Sequence, residues 1–378
     1  MVSTKKDPVL AVVSLSGGND GLNTIIPFND PFYRDYRPTL GIAEDQIIPL
    51  TDELGFHPAL APLKKYWDEG KLAIILGIGY PHPSLSHFRS MDIWATCEPD
   101  VLRTEGWLGR VIKDVDPRGD NVLTGVNFGR GLPRSLAMEG VPVASVGDLS
   151  AYGLLTDMER VGQRSEALDL FGRMYAPAIG TGPVNDYIRR TGIEALKGAD
   201  ILSNAPGKYS SNVEYLHSAI GGYLRDMVQV HNAEFGTRVL FTTAPYNIFD
   251  THANQKVGQA NLLNDVAVNV DCFVTDLRQL NISDNVMTLL YSEFGRRAMD
   301  NGSGTDHGTG GVAFVIGDHV KGGLYGQYPS LKPNGLEDGG NLLHNVDFRS
   351  AYTTVLERWM GLDAKPIVGG SFEQLDFI

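Results

Sequence analysis

Cysteine is nearly absent from this chain, with only Cys97 and Cys272 among 378 residues. Neither belongs to a Cys-x-x-Cys pair, which excludes a dithiol redox motif or a thiolate metal knot. Both lie in apolar or helical surroundings, so two free, largely buried thiols are expected, with a single disulfide left open. Long hydrophobic runs are missing too. No stretch reaches the roughly 20 apolar residues of a membrane span. The segment Met1 to Pro8 is polar and leads straight into a strand, so no signal peptide is visible. Clustered basic charge is the third absence. Lys and Arg total 32 against 45 Asp and Glu, a net charge of -13. Binding a phosphate backbone needs clustered cations, so nucleic acid is not expected as a partner. Small anionic molecules stay open, because a bound cation reverses the local field.

What is abundant is glycine and buried apolar sequence. The chain has 44 Gly, 20 Pro and 42% hydrophobic residues. That suits a large α/β core with many turns and long ordered loops. Short β-branched or aliphatic runs read as strands at Val9–Leu15, Leu72–Ile78, Asn121–Phe128, Val141–Val146, Val239–Thr243, Asn285–Tyr291 and Val312–Ile316. Helical spacing predicts helices at Pro58–Gly70, from Ser86 to Ala95, at Ser165–Tyr175, Val184–Leu196, Val213–Glu234, Gln259–Leu280 and Arg349–Trp359. Strands alternating with helices imply a mostly parallel sheet covered on both faces, a three-layer sandwich. The whole chain reads as a single domain, with a helical insertion around residues 150–235.

Polar clusters fall just after the strands, and sites in open α/β sheets gather at strand carboxyl ends. Asp306-His307 lies in a glycine-rich loop before the last of these strands. A hard oxygen beside an imidazole suits a divalent ion, although the dipeptide alone reads equally as a solvated turn. Asp250 and His252 also follow a strand. Residues two apart in an extended segment point the same way and can face one ion, or form an Asx turn with an exposed His. Asp20, in Ser-Gly-Gly-Asn-Asp-Gly after the first strand, offers a third carboxylate or ordinary turn chemistry. Asn19 beside it can donate to an anionic oxygen. Ser86, at a helix start with His87 next to it, is a candidate nucleophile, or a plain N-cap. Arg296 can clamp an anionic group. Glu293 is a ligand or a partner of Arg296. His57 reads first as structural and second as substrate-binding. His344 and His319 are late candidates for a further metal ligand.

Six motifs, LSGGNDGLNTIIP, FHPAL, SHFRSMDIW, FDTHANQ, SEFGRR and NGSGTDHG, occur in an order that resembles the DUF1501 family. That family is similar to the alkaline phosphatase and sulfatase superfamily. The resemblance implies an alkaline-phosphatase-like fold, one or two divalent ions (Zn, Mn, Mg or Ca) and a Ser, Thr or modified Cys nucleophile. Carried over in order, it implies metal ligands at Asp20, Asp250, His252, Asp306, His307 and His344. It implies catalytic roles for Ser86, His87 and Arg296, and substrate contacts at Asn19, His57 and Glu293. Two departures stand out. The superfamily's middle Asp/His pair has three intervening residues, whereas Asp250 and His252 have one, and the final His is not clearly marked. No Cys-x-Pro-x-Arg stretch is present, which argues against a formylglycine sulfatase. The expectation is a metal-dependent hydrolase of phosphate or sulfate esters, acting on a small-molecule or glycan anionic ester. The competing expectations are a non-catalytic metal- or glycan-binding protein and a metal-free Ser-His esterase. Resemblance also implies a periplasmic or secreted location.

Overall fold

The computed structural model describes residues 6–151, 182–337 and 339–378, together with residues 166, 167, 169, 170, 173 and 174. Val9–Ser14 (β1) explains the rest of the sheet in miniature. Its consecutive aliphatic residues have no polar face, which suits a strand buried on both sides. Leu10 and Val12 enter one core, and Val9, Ala11 and Val13 enter another. The remaining strands of the main sheet are Leu72–Gly79 (β2), Gly125–Phe128 (β3), Ala144–Val146 (β4), Val239–Thr243 (β5), Val286–Tyr291 (β6), Gly311–Ile316 (β7), Gly323–Tyr325 (β8) and Val346–Asp347 (β9). Their order is β8-β2-β7-β6-β1-β5-β3-β4, with β9 also paired to β2. Val12 sits opposite Phe241 on one side and Leu289 on the other. All pairings are parallel except those of β7, which runs antiparallel to both β2 and β6.

Helices cover both faces. His87–Thr96 (α1), Trp107–Val115 (α2) and Phe348–Thr354 (α6) bury Trp94, Trp107 and Tyr352 against one face. Pro183–Leu202 (α3), Ala219–Asn232 (α4) and Gln255–Gln279 (α5) lie on the other. There α5 contributes Leu263, Val266, Val270, Phe273 and Leu277 at helical spacing. Each such buried side chain contributes about 1.5–3 kcal/mol of transfer free energy. The expected three-layer α/β sandwich with a mostly parallel sheet is therefore the observed architecture. Both cysteines are free, Cys97 buried and Cys272 half-buried. Among the described residues, no helix is long and apolar enough to cross a membrane.

The differences from the sequence reading have local causes. The strand expected from Asn121 begins only at Gly125, because the Asn121 side chain accepts from the Leu123 N–H and Asp116 accepts from the Asn121 N–H. This is turn chemistry rather than strand pairing. The helix expected from Val213 begins at Ala219, where Ser218 caps the Gly221 N–H. Pro58–Leu63 is a 3-10 turn with Pro62 inside it, and a regular helix follows only over Lys64–Asp68. The helix expected at Ser165–Tyr175 falls largely outside the described residues. Leu202, Ala205, Ile220 and Leu224, from the segment read as an insertion, belong to the same core as Val9, Ala11 and Val13.

Candidate functional site

The carboxyl ends of β1, β2, β5 and β6 bring four loops together. β1 ends in Ser16-Gly17-Gly18, and Gly17 has a φ of +121°. A Cβ there would lie 2.5 Å from the Asp250 backbone nitrogen, so only glycine lets the two loops touch. The glycine-rich segment before β7 is equally tight. A Cβ on Gly308 would sit 2.3 Å from the Arg296 carbonyl carbon. Arg296 and His307 form an isolated antiparallel bridge there. Extended backbone sends neighbouring side chains to opposite sides, so the Asp-His pair splits. His307 turns inward, while Asp306 is 55% exposed at the rim, with an oxygen 3.7 Å from His252 Nδ1.

Inward, three imidazoles surround one carboxylate oxygen. Asp250 Oδ1 lies 3.0 Å from His252 Nε2, 3.1 Å from His307 Nε2 and 3.3 Å from His87 Nε2. The Nε2 atoms of His252 and His307 are 2.9 Å apart. The ligand atoms of His87, Asp250 and His307 all lie within 4.8 Å of one another, a spacing that can hold a metal ion. Phe294, fully buried, packs its ring 4.8 Å from His87 and 5.0 Å from His307.

The far side of each ring decides the protonation. His307 Nδ1 is 2.7 Å from the Leu85 carbonyl oxygen, which can only accept. His87 Nδ1 is 2.8 Å from Glu293 Oε1. Both Nδ1 atoms therefore carry the hydrogen, and both Nε2 atoms of the neutral rings present lone pairs. Those lone pairs face a carboxylate oxygen, and His87 Nε2 is buried with no hydrogen-bond partner. Acceptors converging on acceptors repel unless a cation or additional protons lie among them. Imidazoles whose outer nitrogens are held by a carboxylate and a carbonyl are the usual supported form of metal-binding histidines. The residues thus fit a divalent ion. Burial raises the Asp250 carboxyl, but the Arg296 hydrogen bond and charge outweigh it and hold it at about 2. The Glu293 hydrogen bond raises the His87 imidazole, against a smaller opposing effect of burial.

Several residues expected in the site are committed elsewhere. Asp20 is fully buried and pairs with both terminal nitrogens of Arg37, one at 3.0 Å. It also accepts from Gln255 and caps the short Gly21–Thr24 helix. No lone pair is left facing the cluster, so its expected metal role does not fit. Asn19 is turned inward, donating to Thr24 Oγ1 and accepting from Gln259. Arg296 is fully buried and donates to the carbonyls of Gly17, Gly18, Phe249 and Thr305 and to Asp250. That leaves its guanidinium buried under protein acceptors rather than open to an anion, contrary to the expected clamp. Glu293 holds His87 and the Gly17 N–H, and it is buried. His57 accepts from the Ala59 N–H as a helix cap. His344 lies against Gly79 and joins none of the cluster contacts. His319 packs on Trp359.

Ser86 is placed differently. It precedes α1 without using its side chain as a cap, and it is exposed. Its neighbours on both sides touch the cluster, Leu85 through its carbonyl and His87 through its ring. Sequence reasoning missed Arg37 and the carbonyl of Leu85. A loop arginine and a main-chain oxygen carry no local signal of such roles.

Together these features define an α/β protein with a histidine–aspartate cluster at the carboxyl edge of its sheet. Residues 224–369 match the family model described as "Protein of unknown function (DUF1501)". That stretch contains Asp250, His252, Glu293, Arg296, Asp306 and His307. No curated protein matches. The chain is similar to a solved protein of the alkaline phosphatase superfamily from Vibrio parahaemolyticus, at 8% identity over 97% of this chain and 69% of that one, with a TM-score of 0.44. It is similar to the PsFucS1 sulfatase from Pseudoalteromonas sp., at 14% identity over 98% and 71%, with a TM-score of 0.40. It is also similar to the phosphonate monoester hydrolase SpPMH from Silicibacter pomeroyi, at 10% identity over 97% and 77%, with a TM-score of 0.38.

Two tests follow from the committed residues. Replacing Arg37 with Met strands the Asp20 carboxylate in the interior, and about 3–5 kcal/mol of stability should be lost in denaturant unfolding. The double variant Arg37→Met with Asp20→Asn should recover part of that loss, and no recovery would contradict the pairing. Burial lowers His57 to about 4 from the usual 6.5, partly offset by the Asp20 charge. The folded state then binds fewer protons than the unfolded one below pH 6.5. Stability is complete at neutral pH and declines as pH falls towards 4, by about 2 kcal/mol at pH 5. His57→Asn should remove about that much of the difference between pH 7 and pH 5, measured by chemical unfolding.

Proposed function

We propose that the protein is a metal-dependent hydrolase of phosphate or sulfate esters, with Ser86 as the nucleophile. The observation that carries this reading is the convergence of three imidazole Nε2 atoms on Asp250 Oδ1, with two of the rings fixed through Nδ1. Three nitrogen donors and one carboxylate suit Zn²⁺ or Mn²⁺. Ca²⁺ and Mg²⁺ prefer all-oxygen sets. His87, Asp250 and His307 would hold the ion, with His252 at its exposed side. When bound, such an ion supplies positive charge that favours an ionised hydroxyl and offsets the charge developing on non-bridging oxygens.

The chain's own groups account for the remaining steps. Glu293 and the Leu85 carbonyl set the tautomers of His87 and His307. Phe294 keeps water from the back of both rings. Ser86 Oγ loses its proton and bonds to phosphorus or sulfur, and the ester P–O or S–O bond breaks. The leaving alcohol departs with a proton. Water then cleaves the seryl ester and restores the Ser86 hydroxyl.

The second reading, a metal- or glycan-binding protein without turnover, has its own support. Asp20, Asn19 and Arg296, the residues suited to a second ion or an anionic oxygen, are all spent on internal hydrogen bonds.

Metal analysis of the purified protein, equilibrated with Zn²⁺ or Mn²⁺ and then desalted, should find bound ion. His307→Ala and Asp250→Ala should each lose most of it. Equal metal content in the wild type and both variants would reject the cluster as the centre. With ion restored, an aryl phosphate or aryl sulfate should turn over. Ser86→Ala should retain the ion and lower kcat by about 10³ or more. Undiminished turnover in Ser86→Ala removes the nucleophile assignment. Tight metal binding with no turnover in the wild type favours the second reading.

A further inference from the structure

A separate cavity of about 250 Å³ lies on the same rim of the sheet, behind the cluster. Ser14 and Thr243, the last residues of β1 and β5, form its base with Phe241 and Tyr291. Met91, Ala95 and Trp94 of α1 make one wall, and Pro133 another. The ion pair between Arg134 and Asp92, at 2.7 Å and partly exposed on both sides, lies at its edge. Glu293 closes the side towards the imidazoles. The metal reading makes no use of this space.

The lining fixes the chemistry of an occupant. The walls are chiefly aromatic, aliphatic and thioether, so hydration lost by a charged group would not be replaced. Both Glu293 oxygens already accept hydrogen bonds, from Gly17, His87 and Ser292. That carboxylate would repel an anion and has little left to offer a donor. Arg134 is neutralised by Asp92. At about 250 Å³, and partly open to solvent, the space accommodates a ring with a short substituent. Met91 is well suited to such a wall, since an unbranched thioether adapts to varied shapes. Its sulfur also touches Ser16 Oγ at 3.6 Å, on the loop that carries Gly17.

We propose that this cavity is a binding site for an uncharged apolar group the size of a substituted benzene ring. Such a group could come from the non-ester half of a substrate held at the cluster, or from a separate small molecule. The site itself does not depend on the hydrolase reading.

Benzyl alcohol is a suitable probe, with benzoate and benzylammonium as charged matches of the same size. Ligand-observed NMR titration of the whole protein should give saturable binding of benzyl alcohol, with both ions at least about tenfold weaker. Ala95→Phe and the milder Ala95→Leu, each checked by thermal melting, should weaken benzyl alcohol binding by about tenfold or more. Xenon derivatisation of wild-type crystals, which needs no variant, should place density among Met91, Ala95 and Phe241. The inference is overturned if benzyl alcohol does not saturate, if the charged probes bind as well, if both folded variants bind like the wild type, or if xenon avoids the cavity. Where an aryl ester is turned over, benzyl alcohol raising KM alone marks the cavity as the place of the substrate's ring. A change in kcat alone marks it as the site of a separate molecule. Failure of binding would leave the metal results untouched, and failure of turnover would leave the binding results untouched.

Discussion

The Arg296 guanidinium holds together the segments on which the cluster depends. It is fully buried and donates to the carbonyls of Gly17 and Gly18 after β1, Phe249 before Asp250, and Thr305 in the glycine-rich loop. Those groups come from far apart in the chain and share this one cation as a hydrogen-bond donor. Its contact with Asp250 then sets the carboxylate around which the imidazoles gather. A planar group with five donors suits such a hub, whereas a lysine could not reach as many acceptors in one plane. The three segments touch so closely that Gly17 and Gly308 have no room for a side chain.

A second buried cation, Arg37, does comparable work a short distance away. It binds Asp20 and also the carbonyls of Arg297 and Ala298, which follow Arg296 in sequence. The two arginines therefore anchor the same strand-end loop from two directions. Buried charges are expensive to desolvate, so such pairs add little net stability over apolar packing, although breaking one partner is costly. The consequence for function is direct. The carboxylate and the arginine that most invite a reading as ligand and anion clamp act as scaffold. The side chains that the scaffold leaves unsatisfied, His87 Nε2 above all, are the ones left free to bind.

Legibility in the sequence followed locality. Strands such as Val239–Thr243 were plain because burial on both faces demands continuous apolar residues. The reversed direction of β7 was not read, since Val312–Ile316 looks like any other buried strand. Its cause lies in the connection. The loop from Ser292 to Gly310 contains no crossover helix, and a neighbour reached without one must run antiparallel. The three-residue strand β8 is too short to carry a pattern, whereas α2 does carry a helical signal, with Trp107, Leu108, Val111 and Ile112 buried on one face, that sequence reasoning missed. For the site, Asp250 and His252 meet across a tight turn, in which the Thr251 and His252 N–H groups reach back to the carbonyls of Phe249 and Asp250, whereas Asp306 and His307 separate because they are adjacent in extended backbone.

The sequence by itself determined the layered α/β architecture, the loops that carry polar groups, and their position after strands, because these follow from periodicity and local backbone chemistry. Only the tertiary structure decided which polar groups are spent and which are open. That depends on partners distant in sequence: Arg37 for Asp20, Gly17 for Glu293, the Leu85 carbonyl for His307. A side chain's capacity to bind is what remains after its internal hydrogen bonds are satisfied, and no local pattern records that remainder.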